Sequence, residues 1–379
     1  MDRGGGTVVL LKEIIKQMEI FAPSHLSEEW DNVGLTIGDK NKQIKKILVA
    51  LDVIPEVIEE AIQIGADLIV THHPMILFQK IKNIQADTAL GKKIYALIQN
   101  NISAYCAHTN LDIAFGGTND TLAKIAGLEN IKILQQTSQE ELKKIVVYVP
   151  QGYEENVRQA MCDVGAGFIG KYSHCSFAAE GIGTFLPLEG TKPFLGKQDV
   201  LEKAKEVRLE TIVSQSLCNT VLEAMKKAHP YEEPAYDVYT VEQKGKCYGI
   251  GRIGTLKESM TFKEYSTFLK KQLCLDSIRI VGEKNKKIQT VALCTGSGVE
   301  FMEQAKKMGA DVYLTGDIKF HEAQRAIEMG LCVADVTHYA GEVIIVPILQ
   351  QFLEQKAKQY HWKIEVIQSA VNGQVFEHI

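Results

Sequence analysis

The chain has 379 residues, 45% of them hydrophobic and 23% charged, and a net charge of −5. That length predicts two domains, and that composition excludes a disordered chain. The acidic balance, with basic residues spread through stretches such as 262–272 instead of gathered in runs, gives no general attraction to nucleic acid or acidic lipid. Eight cysteines stand singly, with no C-x-x-C pair, which is the pattern of reduced thiols. The sequence opens Met-Asp-Arg-Gly-Gly-Gly and then runs amphipathic, without an apolar leader core or a run of about 18 apolar residues. The expected location is cytoplasmic, with no membrane partner.

Along the first third, a helix ending at Gly65 leads into a strand at Leu68, which delivers Thr71-His72-His73-Pro74 to its carboxyl end. Proline closes the extended segment there. A second strand, Ser103 to Ala107, opens into His108-Thr-Asn-Leu-Asp112. Earlier, Trp30-Asp31-Asn32-Val33-Gly34-Leu35 reads as a turn before a strand, either lining a pocket or lying plainly on the surface.

The middle has a different texture. Residues 142–150 read as a strand and 153–164 as a helix; a second strand and helix follow over 208–228, and Tyr236 to Val241 closes as a strand. That order predicts a small two-layer α+β module of ferredoxin-like type. Its edges fall in the polar stretches Gln135 to Glu141 and Gln243 to Lys246. The expected organisation is a discontinuous α/β main domain, 1–134 with 247–379, carrying an inserted domain at 135–246.

The last third repeats the first. Residues 304–317 (Gln-Ala-Lys-Lys-Met-Gly-Ala-Asp-Val-Tyr-Leu-Thr-Gly-Asp) match residues 60–73 at Ala, Gly-Ala-Asp and Thr, so the main domain reads as duplicated α/β units. Gly316 and Asp317 stand where His72 and His73 stand in the first copy. Cys332 to Val336 then leads through Thr337 to His338-Tyr-Ala-Gly-Glu342, again a histidine with a carboxylate four residues on. That spacing puts both on one helical face, at the expected first turn of a helix over Val343 to Lys356. The turn Thr295-Gly296-Ser297-Gly298, before a helix from Val299 to Lys307, suits either an anion on backbone amides or a tight structural bend.

Open α/β sheets gather ligand sites at the carboxyl ends of their strands. The repeat places His72, His73, Asp112, His338 and Glu342 there together. Imidazole and carboxylate without thiolate suit zinc first, and also iron, manganese or nickel. Five ligands exceed one closed tetrahedral ion and suit two divalent ions about 3.5–4 Å apart, with a bridging carboxylate such as Asp112 and room for water. A pair of that kind activates water at neutral pH, which predicts hydrolysis or water addition. His108 and His321 are candidates for proton transfer or for orienting ligands, or are structural.

The set Asp31-Asn-Val-Gly34, Thr71-His-His-Pro74, His108-Thr-Asn-Leu-Asp112, Thr315-Gly-Asp-Ile-Lys-Phe-His321 and His338-Tyr-Ala-Gly-Glu342 resembles the YqfO/YbgI family, also called NGG-interacting-factor-three-like or GTP cyclohydrolase I type 2 homologues. The inserted stretch, with Lys192-Pro-Phe-Leu-Gly196 and His229-Pro-Tyr-Glu-Glu-Pro-Ala-Tyr236, is similar to the module of the longer YqfO branch, whose fold resembles PII and CutA. The resemblance implies the same five residues as dinuclear ligands, a ring-shaped homohexamer, and opening of the guanine ring of GTP by water. The family's usual Gly-His-Tyr appears here as Thr337-His338-Tyr339. No motif reads guanine, so a nucleotide-like small molecule is the expected substrate, with Lys319 and the Gly296–Gly298 turn as candidate phosphate contacts. The competing expectation is a metal-binding regulatory or scaffold protein that senses a small effector through its insert. Nucleic-acid processing inside a ring is disfavoured by the net charge.

Overall fold

Strands Lys46–Ala50, Leu68–Thr71 and Ser103–Cys106 are buried along nearly their whole length, because helices cover both faces of the parallel sheet they form. The computed structural model describes residues 7–76, 81 and 83–377, and its fold is mixed α/β. It divides into two compact units, one holding the described residues up to Thr137 and from Tyr248 on, the other Ser138–Cys247.

In the first unit the three parallel strands are flanked by Gly34–Ile37, antiparallel to Ser103–Cys106, and by Glu365–Gln368, parallel to Lys46–Ala50. A second sheet in the same unit follows the same plan. Lys287–Leu293, Val312–Thr315 and Cys332–Asp335 are parallel neighbours, and Arg279–Val281 lies antiparallel on the outer edge. On its other edge, residues 252–261 of the long strand Tyr236–Thr261 run antiparallel to Lys287–Leu293.

The two halves exchange helices. Helix Ile345–Gln359 of the second half buries Ile345, Val346, Leu349 and Leu353 against Ile47, Val49, Leu68 and Val70 of the first sheet. Helix Thr118–Ile125 of the first half buries Leu122 and Ala123 against Val291, Leu293, Val312 and Ala334 of the second. Each sheet therefore closes its core only with a helix from the other half. Among the described residues no helix is long and apolar enough to cross a membrane.

The second unit follows the order strand, helix, strand, strand, helix, strand. Its strands lie in the order residues 236–247, residues 138–150, Glu202–Ser214, Ser176–Phe185, the last three as antiparallel neighbours. Alternate residues Ile145, Val147 and Val149 face helices Glu154–Asp163 and Cys218–Ala228, which bury Val157, Met161, Val221 and Met225 on them. Strand Ser176–Phe185 has no counterpart in the sequence reading. It lies at the sheet edge with most residues exposed and two glycines, so no apolar alternation marks it. The helix expected from Val343 is likewise two pieces, His338–Glu342 and Ile345–Gln359.

Candidate metal centre

The chain turns sharply where strand Leu68–Thr71 ends. Thr71 Oγ1 donates to the His73 carbonyl at 2.9 Å, and the His73 amide donates to the Leu51 carbonyl at 2.9 Å. This bend lets adjacent histidines share one side of the sheet edge. Buried His72 donates from Nδ1 to the Ala107 carbonyl at 2.9 Å, and His73 from Nδ1 to Asp52 at 2.7 Å. His108, which opens helix Thr109–Ile113, donates from Nδ1 to Asp31 at 2.9 Å. His338 opens helix His338–Glu342 and donates from Nδ1 to Asp317 at 2.7 Å. All four imidazoles are thus oriented through Nδ1 by an oxygen, which leaves each Nε2 available; metal-binding histidines are commonly held this way.

Glu342, only 3% exposed, lies among them. Its Oε2 is 2.7 Å from His73 Nε2 and 3.0 Å from His338 Nε2. Its Oε1 faces His72 Nε2 at 3.8 Å, and the same nitrogen lies 3.6 Å from Asp112 Oδ1. Asp112 Oδ1 in turn accepts from Thr118 at 2.5 Å and Thr295 at 3.2 Å. Three overlapping groups have ligand atoms within 4.8 Å of one another: His72, His73 and His108; His73, His338 and Glu342; His72, Asp112 and Glu342. Each could hold a metal ion. Glu342, like His72 and His73, is common to two of them.

Two observations fit these residues to a cation. His72 Nε2 is buried and has no hydrogen-bond partner among the described residues, a costly condition for a polar atom unless something binds it. Gly296 (φ +63°) leaves open the space in front of Glu342: a Cβ there would collide with Glu342 Oε1 and lie 3.6 Å from His338 Cε1. The charges agree. Burial lowers the His73 pKa, but hydrogen bonds to Asp52 and Glu342 outweigh it and bring it to about 10. The hydrogen bond to Glu342, against burial, raises His338 to about 9. Burial alone would raise Glu342, yet His338, His72 and His73 hold it well below the usual carboxylate range. Imidazolium charge neutralises this carboxylate.

Beside the centre opens a cavity of about 530 Å³, lined by His73, His338, Asp317, Tyr339, Arg279 and the chain from Gly373 to Glu377. Arg279 lines it too and pairs with Asp335 while remaining largely exposed. Of the residues singled out from sequence, His72, His73, His108, Asp112, His338 and Glu342 come together. His321 does not: it is exposed and bound to Gln324 at 2.9 Å. Lys319 is also exposed, and Gly298 N donates inward to Thr315 Oγ1 at 2.9 Å, so that turn presents this amide to its own chain. Asp31 also differs from a loose pocket residue. Burial opposes its charge, but hydrogen bonds from His108 and Thr109 hold its pKa at about 2. Asp52, Asp317 and Arg279 were missed. In sequence they are ordinary charged residues, and only the repeat, which sets Asp317 opposite His73, hinted at one of them.

The family model described as Duf34/NIF3 (NGG1p interacting factor 3) matches residues 9–374. A Bacillus subtilis protein named GTP cyclohydrolase 1 type 2 homolog is 47% identical over 333 residues, 88% of this chain and 89% of that protein. A protein of the same name from Halalkalibacterium halodurans is 43% identical over 97% of this chain and 98% of its own. The crystal structure of a Bacillus cereus protein related to NIF3 superposes with a TM-score of 0.89 at 43% identity, covering 98% of this chain and all of that one. A Staphylococcus aureus protein of known structure gives a TM-score of 0.74 at 31% identity over 98% and 99% of the two chains. With five sequence motifs meeting in one centre and relatives matched nearly end to end, the chain belongs to the Duf34/NIF3 family.

Proposed function

We propose that this centre holds two divalent ions, zinc first among the candidates, and that the chain is a metal-dependent hydrolase acting on a nucleotide-like small molecule. The observation that carries the reading is Glu342, whose Oε2 meets His73 and His338 while its Oε1 faces His72, whose Nε2 also lies beside Asp112. A carboxylate that belongs to two of the three groups could serve both of them. His108, held through Nδ1 like the other three histidines, is assigned to the His72 side as a further ligand. Exposed His321 carries no step.

When bound, two such ions supply Lewis acidity and an activated water at neutral pH. The chain's own residues do the rest. Asp52, Asp317, Asp31 and the Ala107 carbonyl hold the imidazoles in one tautomer, and Thr118 and Thr295 hold Asp112. The adjoining cavity receives substrate, and Arg279 on its wall suits a phosphate. The names of the relatives point to GTP as the substrate to try first. The same proposal takes residues 135–246 as an inserted ferredoxin-like domain of PII/CutA type, supported by its element order and sheet order. It also takes the protein as a cytoplasmic homohexameric ring.

The test is metal content per chain by elemental analysis, joined to a nucleotide turnover screen. About two ions in the native protein, a marked loss in His338→Ala, and turnover lost in Glu342→Gln and Asp112→Asn variants that remain folded are expected. Protein that takes up no stoichiometric zinc, iron or manganese would end the hydrolase reading.

A further inference from the structure

The second unit has a cavity of its own, of about 390 Å³, and the metal centre leaves it unexplained. Its walls come from the two segments that stand out in that part of the sequence, around Phe194 and Tyr231. Phe185, Phe194 and Tyr231 supply three aromatic faces. The Tyr231 ring centroid lies 5.8 Å from that of Phe185 and 6.1 Å from that of Phe194, at interplanar angles of 60° and 49°. These rings are therefore not stacked into one another; they stand as separate walls. Between them the wall carries three carboxylates, Glu206, Glu232 and Glu233, and no lysine or arginine side chain among the described residues.

Two of those carboxylates are placed by the fold. Tyr231 donates its hydroxyl to Glu206 at 3.1 Å, and Glu232 accepts the Lys192 amide at 3.0 Å. Gly183 on the neighbouring strand makes room for the first: a Cβ at that position would overlap the Glu206 carboxylate. Among the described residues none of the three forms a salt bridge. A hollow with aromatic faces and unneutralised carboxylates attracts positive charge twice over, through the ring quadrupoles and through Coulomb attraction. Its size is that of a small-molecule pocket. Anions such as nucleotide phosphates would be repelled by the same wall.

We propose that this cavity is a binding site for a small organic cation, an ammonium or amidinium-like group carried on an apolar body. The charged head pairs with Glu206 and its neighbours, and the apolar body lies against Phe185, Phe194 and Tyr231. The inference stands apart from the metal centre and from whatever reaction occurs there.

The experiment titrates the full-length protein with two matched pairs, by calorimetry or ligand-observed NMR: benzamidine against benzamide, and choline against 3,3-dimethyl-1-butanol. Within each pair the shape is kept and the charge removed. Each cation should bind at least about tenfold tighter than its neutral partner. Glu206→Gln keeps an acceptor for Tyr231 and loses the charge, so it should weaken the cation roughly tenfold, as should Phe194→Ala. His338→Ala should leave cation binding unchanged. Equal binding within the pairs, binding that survives both cavity substitutions, loss of binding in His338→Ala, or no binding at millimolar concentration would each overturn the proposal. Circular dichroism and melting curves establish that the variants remain folded.

Discussion

Gly296 and Glu342 are packed so closely that a single methyl group on the first would drive away the carboxylate of the second. Gly296→Ala also forces a left-handed backbone on alanine. Both effects act on the one carboxylate that reaches two groups of donors. The expected result is a folded protein whose affinity for zinc falls by roughly ten- to a hundredfold, the usual penalty for disturbing what orients a ligand. A competition titration with a chromophoric chelator measures it. Native affinity in this variant would show that Glu342 does not bind metal.

The histidines predict a proton exchange. In the metal-free protein His73 titrates at about 10 and His338 at about 9, both above the ordinary imidazole. Raised values stabilise the folded state most below the unfolded pKa of about 6.5, and that stabilisation is lost as pH climbs through 9 to 10. The melting temperature of the metal-free protein should therefore fall across that range. At pH 7 a metal must displace these protons, so roughly two should be released as His73 and His338 become ligands. Calorimetry in buffers of different ionisation enthalpy counts them. Enthalpies that do not depend on the buffer would contradict the assignment.

Arg252 is 2% exposed, pairs with Asp120, and donates from Nη1 to the carbonyls of Gly249 and Gly251 at 2.8 Å each. Replacing it by methionine keeps much of the volume but leaves Asp120 without its partner. The cost should be about 3–5 kcal/mol, a drop in melting temperature of roughly 10 °C for a unit of this size. Asp120→Asn in the same background should restore part of it. A melting curve that does not move would mean that Asp120 is solvated well enough without the arginine.

Thr337 adopts φ 63°, ψ 154°, a region that glycine alone enters freely, at a cost of about 1–3 kcal/mol for other residues. Its hydroxyl accepts the Ala340 amide at 3.2 Å, a cap whose loss to glycine costs only a few tenths of a kcal/mol. Thr337→Gly should therefore raise the melting temperature by a few degrees, with the metal content unchanged. A lower melting temperature would show that the threonine supports more than its own helix start.

How much of this was legible in the sequence depended on distance along the chain. His72 and His73 adjoin a buried apolar run, and His338 and Glu342 sit four apart, so their shared site could be argued from local pattern. The repeat then brought the halves together. Asp52, Asp317 and Asp31, which orient the histidines, sit on loops whose meeting depends on tertiary packing, and a lone aspartate carries no signal of its partner. The close approach of Gly296 to Glu342 was hidden for the same reason, since it depends on packing and not on spacing. The edge strand Ser176–Phe185 escaped because exposed edges are not obliged to alternate.

The exchange of helices between the halves has a consequence for how the chain is made. One face of strand Lys46–Ala50 waits for a helix that begins at Ile345, so nearly the whole protein must leave the ribosome before that face of the first sheet is fully covered. Until then its apolar face is open to chaperones and to other nascent chains. The unit Ser138–Cys247 draws its core from its own residues and can form in the meantime. Late closure of the discontinuous unit, after early and independent formation of Ser138–Cys247, is the expected order of folding.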